Sequence, residues 1–531
     1  MRISLGAAGY LVIAGLLFRS LLPVFPTHLY GDLGDPLLNT SILEWNAKHV
    51  PLSTDWWNFP AFAPLSGVTA FTEHLLGAYL LTSPIIWITG NPVLAYNVLL
   101  LASFVLNGVA VFALLRELTA STAGAFIGGL AFAFAPFHAE HSTHIQMLIA
   151  FGMPVALLGL HRYVKNGRRR DLLWFAIGWL DVLLSNAYLL IFFPILVALW
   201  AIWFFRRADV RRWRDIAVAM IVATFPVVPL LIGYRLRQAA YGLSRGIDEI
   251  KAMSATWSSI AGISDRAVLW KGQLPDTFYE AALFPGIAIL TLTIIAIITT
   301  RSRVVFFYVL AAVVMWSLAL GPARGPYALL LHVPGAQSIR VPARAWLVAA
   351  LCLAVCAGFG AAWLANGARR RWLLAPLAVL IVAEGWFTAQ TFEVPAPLPV
   401  YIPPDAMVLD LPLAEGYENA DAQYLAVIGN YRVVNGYSGY APAFFFPLRK
   451  ALGDHRSEGF IPFRERADLY VVSRPGMQPS FIAWLDSLPS AERIVDFGSW
   501  KMYRLPRIGS GPAPPLLLPL PAPGQQAIRI P

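Results

Sequence analysis

Charged side chains are scarce in this chain. Asp, Glu, Lys and Arg make up 13% of its residues, about half the share of a typical soluble domain. That scarcity excludes a string of water-soluble domains, although 531 residues would suffice for several. Cysteine is nearly absent. Cys352 and Cys356 lie about one helical turn apart in an apolar run, which rules out a disulfide framework and a CxxC metal site and leaves two small apolar helix residues. A cleavable leader is not expected either: Arg19 interrupts the apolar block Leu5–Phe25, and no small-x-small site precedes Thr27. That block reads as an uncleaved anchor. No internal repeat is visible, so a solenoid or propeller is not indicated.

What is present is apolar length. Hydrophobic residues make up 58% of the chain, and they come in blocks near 93–115, 122–136, 146–163, 172–186, 188–205, 215–234, 282–300, 304–320, 345–365 and 372–390. A helix rising about 1.5 Å per residue needs roughly 20 such residues to cross about 30 Å of hydrocarbon. With the first block, this predicts a polytopic α-helical membrane protein of about eleven spans.

The formal charge of +10 follows the same plan. Arginines cluster in short loops: Arg168 to Arg170; Arg206, Arg207, Arg211, Arg212 and Arg214; Arg301 and Arg303; Arg369 to Arg371. That is the positive-inside pattern of cytoplasmic loops, so the charge reports topology rather than nucleic-acid binding. A crossing at His74–Gly90 would put these clusters outside, so that segment is predicted to lie on the membrane or dip back. The N-terminus is then inside and the C-terminus outside, in a membrane of the bacterial inner type. Residues 27–92, 137–145, 235–281, 321–344 and everything after Gln390 face outward.

Composition changes after Val394. Strand-like runs begin at Ala406 (AMVLDLPL), Asp468 (DLYVVS) and Lys501 (KMYRL), punctuated by Gly, Pro and Asn435–Gly436. The predicted organisation is a membrane domain over 1–394, a small extracytoplasmic α/β or α+β domain over 395–508, and a Pro-rich disordered tail over 509–531.

Chemistry-bearing residues gather in the outer loops. Asp32 and Asp35 follow the first span in GDLGDP, with Pro36 opening a helix. A carboxylate there can act as general base or help hold a divalent metal; alternatively both acids cap the helix. The second outer loop packs His138, Glu140, His141 and His144 into one stretch. Imidazoles and a carboxylate suit a metal, though the spacing matches no standard zinc motif, and hydrogen bonding in a turn is the alternative. Further on come Arg245 with Glu280, then Arg340 and Arg344 in SIRVPARAW. Guanidinium forks match phosphate oxygens, or pair with local acids and lipid headgroups. Trp45, Trp56, Trp57, Phe59 and Phe62 read as membrane-interface anchors. NGYSGY (Asn435 to Tyr440) reads as turn chemistry.

The arrangement resembles the GT-C superfamily of membrane glycosyltransferases, in a bacterial branch. The likeness rests on GDLGDP after the first span, EHLLGAYLLTSPIIW, YNVLLLASFVLNGVAVFALLREL and AFIGGLAFAFAP, with VLDLPL and VVNGYSGY in the soluble part. It implies a catalytic acid at Asp32 or Asp35. A second acidic motif would fall at Glu140 beside His138 and His141, and a carboxylate flanking a later span at Glu280. It also implies a sugar donor on a polyprenyl phosphate, a glycan, lipid or protein acceptor, and a divalent metal as a potential cofactor. Two rivals remain open. One is a transporter or flippase, for which the span-embedded acids Asp181 and Glu384 speak. The other is a non-catalytic scaffold whose outer domain binds polysaccharide or protein.

Overall fold

The computed structural model describes residues 3–204, 210–275, 277, 280–333, 335–398, 400–404, 406–414, 416–497 and 500–509. Arg206, Arg207 and the tail from 510 onward lie outside the described residues.

Six described helices are long and apolar enough to cross a membrane: Pro92–Thr119, Thr122–Glu140, Ile145–Asn166, Ala187–Phe204, Val210–Ala240 and Pro342–Ala365. Each coincides with an expected span, and the chain is a multi-pass membrane protein. Local chemistry sets their ends. Asn91 caps the first by accepting the Leu94 amide at 2.9 Å, with Pro92 in the position that needs no amide donor. Ser121 does the same for the Gly124 amide at 3.1 Å. The other expected spans are carried by shorter helices, Ile3–Leu17, Arg169–Ser185, Ile287–Thr300, Arg303–Ala319 and Leu374–Glu384. Length alone therefore identifies six crossings, not eleven.

The segment His74–Gly90 also carries a short helix. Its helix, Tyr79–Thr89, has 11 residues and stops at Gly90 in a left-handed conformation. At about 1.5 Å per residue it covers roughly half the hydrocarbon thickness, the same reach as Leu374–Glu384.

The bundle has two chemically distinct ends. At one, Arg212 donates to the Val164 carbonyl (2.6 Å), the Trp203 indole donates to the Arg303 carbonyl (3.1 Å), and Glu117 pairs with Arg162 and Lys165 (3.0 and 2.9 Å). Following Ile145–Asn166 or Ala187–Phe204 from that end leads back to His144 and Ala187, which belong to the acidic end.

Two sheets lie beyond the acidic end of the bundle. Strands β1 (His28–Tyr30) and β2 (Thr391–Glu393) pair antiparallel, joining the first outer loop to the exit of the bundle. Beyond them, β3 (Met407–Leu411), β4 (Arg432–Val433), β5 (Leu469–Ser473), β6 (Glu492–Phe497) and β7 (Trp500–Leu505) form a mixed sheet in the order β4-β3-β5-β7-β6. β3 is parallel to β4 and β5, while β7 is antiparallel to β5 and β6. All five β3 residues are buried, as a central strand covered on both faces requires.

The first outer loop does not float over this sheet. The Val433 amide donates to the Pro60 carbonyl (2.8 Å), and the Ala63 amide to the Val433 carbonyl (2.9 Å). This corrects the aromatic expectation. Trp56, Trp57, Phe59 and Phe62 are 5% exposed or less, because the loop builds a core of its own against the sheet, with Phe62 edge-on to Phe445. They are interior residues rather than membrane anchors.

Candidate active site

Gly31 shapes the approach of the first outer loop to the second. Its φ of +101° suits glycine, and a Cβ there would meet the Thr143 methyl at 2.3 Å. The chain then turns through Asp32, whose Oδ1 accepts the Gly34 amide at 2.9 Å, and enters the helix Asp35–Lys48. Neither acid caps that helix. Asp35 is left free to face outward from its first turn.

Its two oxygens are held separately. The Tyr437 hydroxyl donates to Oδ1 at 2.8 Å, and His144 Nε2 lies 3.1 Å from Oδ2. A carboxylate has about four lone-pair sites, so each oxygen keeps one for a substrate hydroxyl. His144 Nε2 is also 3.9 Å from Glu280, and the Arg344 fork grips both Glu280 oxygens. Arg344 in turn lies over the Tyr188 ring at 4.4 Å. The result is an alternating chain of charge: Asp35, His144, Glu280, Arg344.

The electrostatics follow from that order. Burial pushes the Asp35 carboxyl up, but His144, the Tyr437 hydroxyl and the charge of Arg344 outweigh it and hold it below the ordinary carboxylate range. Burial pulls the His144 imidazole down, and Asp35 and Glu280 more than reverse this. Glu280, buried yet facing Arg344 and His144, is held far down. Asp35 is thus kept ionised.

A cavity of about 1050 Å³ opens in front of Asp35. Arg235, Arg245, Arg340 and Arg344 line it, with Leu190, Ile191, Leu230 and Leu231 from two membrane-length helices and Tyr437 to Tyr440 from the C-terminal sheet region.

The whole path overlays on that of the mycobacterial arabinofuranosyltransferase AftD with a TM-score of 0.60, at 14% identity over 95% of this chain. The fold is similar to that of this arabinofuranosyltransferase. The chain spans 42% of the AftD length. Looser overlaps are found with ArnT from Cupriavidus metallidurans (TM-score 0.39, 12% identity, 94% of this chain and 97% of that one) and with the Archaeoglobus fulgidus oligosaccharyltransferase (0.44, 15%, 90% and 69%). Neither adds weight to the fold. A family described as "Domain of unknown function (DUF6311)" matches residues 88–323, and no curated protein matches by sequence.

Within this fold the expected site residues separate into groups. Asp35, Arg245, Arg340 and Arg344 line the cavity, and His144 touches Asp35. Asp32, Glu140, Glu280, His138 and His141 are not among the lining residues. Asp32 instead faces Arg266 at 3.4 Å, and Arg266 reaches on to Ser142 (2.8 Å), tying the two loops together. Glu140 accepts the Glu280 amide at 3.0 Å and so supports that residue's left-handed backbone (φ +61°). Glu280 is consumed by Arg344. Arg245 is committed to Glu249 (3.1 Å), the Gly439 carbonyl and the face of Tyr440.

The histidines do not fit a metal centre. His138 turns Nδ1 to the Ala133 carbonyl (3.1 Å) among phenylalanine rings, and His141 lies tilted against Phe137 with neither ring nitrogen partnered among the described residues. His144 alone of the three is within ion-pairing reach of a carboxylate, and no three His, Cys, Asp or Glu side chains converge as metal ligands among the described residues. No chemical step is assigned to a metal below.

Sequence reasoning missed three contributors. Tyr437 was hidden in a segment that turn chemistry already explained. Arg266 carries no local signal. Glu73, which lines the cavity, opens the apolar surface segment that drew attention for its hydropathy. One support for transport also changes character. Glu384 accepts the Ile287 and Ala288 amides (2.7 and 3.0 Å) and the Trp270 indole (3.2 Å), so it caps a helix rather than lining a path.

Proposed function

We propose that this chain is a membrane glycosyltransferase that moves a sugar from a polyprenyl-phosphate donor to the hydroxyl of a glycan, lipid or protein acceptor. The reaction takes place on the extracytoplasmic side of a bacterial inner membrane. The shorter helices complete about eleven crossings, and the C-terminal sheet domain lies outside. One observation carries the reading: an ionised acid, uncommitted guanidinium groups and apolar faces of membrane-length helices share a single cavity. A charged head on a hydrocarbon tail needs all three.

The cations are not equivalent. The forks of Arg344 and Arg245 are spent on protein groups. Arg340 has Glu249 only at 4.0 Å, and Arg235 has no ion-pair or hydrogen-bond partner among the described residues. These two are assigned to the donor phosphate. Asp35 takes the proton of the acceptor hydroxyl as its oxygen attacks the anomeric carbon, and the carbon–oxygen bond to phosphate breaks. A low-pKa base suffices because the hydroxyl becomes acidic only as the new bond forms.

The test is transfer from labelled polyprenyl-phosphate sugars by the purified protein in lipid. Product formation with bond cleavage is expected, and solute movement without cleavage would overturn the reading. In the same assay Arg235→Ala and Arg340→Ala should each raise KM for the donor about tenfold or more, the size of a lost charge-assisted hydrogen bond. An unchanged KM would remove the phosphate assignment.

Tyr437→Phe gives a pH readout. Loss of its hydroxyl removes one of the influences that lower the Asp35 pKa. The acid limb of the rate profile should therefore move to higher pH, with the neutral-pH rate nearly kept. A limb that stays in place would show that Tyr437 does not act on the base.

A further inference from the structure

Asp35 and Glu73 are the carboxylates among the residues lining the cavity. They are held in opposite ways. Asp35 meets a donor on each oxygen. Glu73 has one hydrogen bond, a 3.3 Å contact from the Ala187 amide to its Oε2. Its neighbour Thr72 accepts the Tyr234 hydroxyl at 2.8 Å, which sets Glu73 against the helix that carries Arg235, one of the cations assigned to the phosphate. Glu73 therefore lines the same cavity as the base, beside the helix that carries Arg235.

The charges around it fit that position. Burial pushes the Glu73 carboxyl above its ordinary value, and the negative charge of Asp35 adds to this, against Arg344 and the Ala187 amide. Tyr188 and Tyr234 also face it, and His74 follows it in the chain. Two carboxyls in one cavity, one pulled below the ordinary range and one pushed above it, follow the pattern of a base and an acid.

We propose that Glu73 is the general acid of this site, an assignment that rests on the glycosyl-transfer reading above. As the bond between the anomeric carbon and the phosphate oxygen breaks, Glu73 gives its proton to that oxygen. In the same step the acceptor oxygen bonds to the anomeric carbon and its proton passes to Asp35. Each turnover leaves Asp35 protonated and Glu73 ionised. Transfer of one proton from Asp35 to Glu73 through solvent restores both, so the overall reaction consumes and releases none.

The experiment compares wild type, Glu73→Gln and Glu73→Asp in lipid, with sugars on polyprenyl phosphate and on polyprenyl pyrophosphate. The wild type should lose rate at alkaline pH as Glu73 ionises. Glu73→Gln should lower kcat about a hundredfold, the lower end of general-acid effects, with KM nearly unchanged and the alkaline limb gone. Its deficit should shrink on the pyrophosphate donor, whose leaving group needs less protonation. Glu73→Asp should keep the alkaline limb, which separates proton donation from a packing defect. Wild-type rates in Glu73→Gln would overturn the assignment. So would a slowed variant with the alkaline limb and the donor dependence unchanged. A wild type that transfers nothing from either donor would overturn the glycosyl-transfer reading and this assignment with it.

Discussion

Asp35→Asn should abolish sugar transfer, with kcat falling about 10³-fold, within the range that general-base removal produces. The amide keeps the size of the carboxylate and can still accept from Tyr437, so donor KM should change little. Asp32→Asn, three residues away, should cost less than about fivefold. Asp32 is partly exposed, and its partner Arg266 sits at 3.4 Å; exposed pairs of that kind contribute about 1 kcal/mol or less. The sequence presents the two acids as equals in GDLGDP. The structure distinguishes them by what they face: one turns to its own backbone and an arginine, the other to a histidine, a tyrosine and the cavity. Equal losses in the two variants, or a larger loss at Asp32, would reverse that distinction.

The second large effect concerns stability. Glu280 and Arg344 are 2% and 4% exposed and bind each other through both oxygens. Glu280→Ala leaves a guanidinium buried without its partner, which costs about 3–5 kcal/mol. That is a large part of the roughly 5–15 kcal/mol that holds a folded domain together. The paired replacement Glu280→Leu with Arg344→Met removes both charges, and should recover most of the lost stability without recovering transfer. Thermal unfolding in lipid, run beside the transfer assay, separates the two. If Glu280→Ala unfolds like the wild type, the pair is not the buried keystone described here.

Much of the plan was legible before the structure. Apolar length found the six long helices, since a run of about 20 residues has few other uses. The first and last of the shorter helices were overextended, because apolar composition continues past the point where the backbone leaves the helix: one ends at Leu17 within the block Leu5–Phe25, the other at Glu384 within 372–390. Shared sidedness was the reason to expect GDLGDP and the histidine-rich turn near each other, and Asp35 lies 3.1 Å from His144. Roles within the turn were not legible. His138, Glu140, His141 and His144 differ by which way a short, buried turn rotates each side chain, and spacing does not encode that. Tyr437 escaped for a different reason: it lies 402 residues from Asp35, so only the docking of the C-terminal sheet brings it there. The tryptophans misled because interface anchors and the core of a folded outer loop share one composition.

Transfer by this site requires the base and the phosphate-binding arginines to serve one bound donor. Cryo-electron microscopy of the protein in lipid nanodiscs with a non-hydrolysable polyprenyl-phosphate sugar tests this most directly. The phosphate is expected within hydrogen-bond reach of Arg235 and Arg340, about 3 Å, with the sugar between it and Asp35 and the lipid along Leu190, Ile191, Leu230 and Leu231. Donor density elsewhere on the protein, or a phosphate in the cavity with the sugar turned away from Asp35, would contradict it.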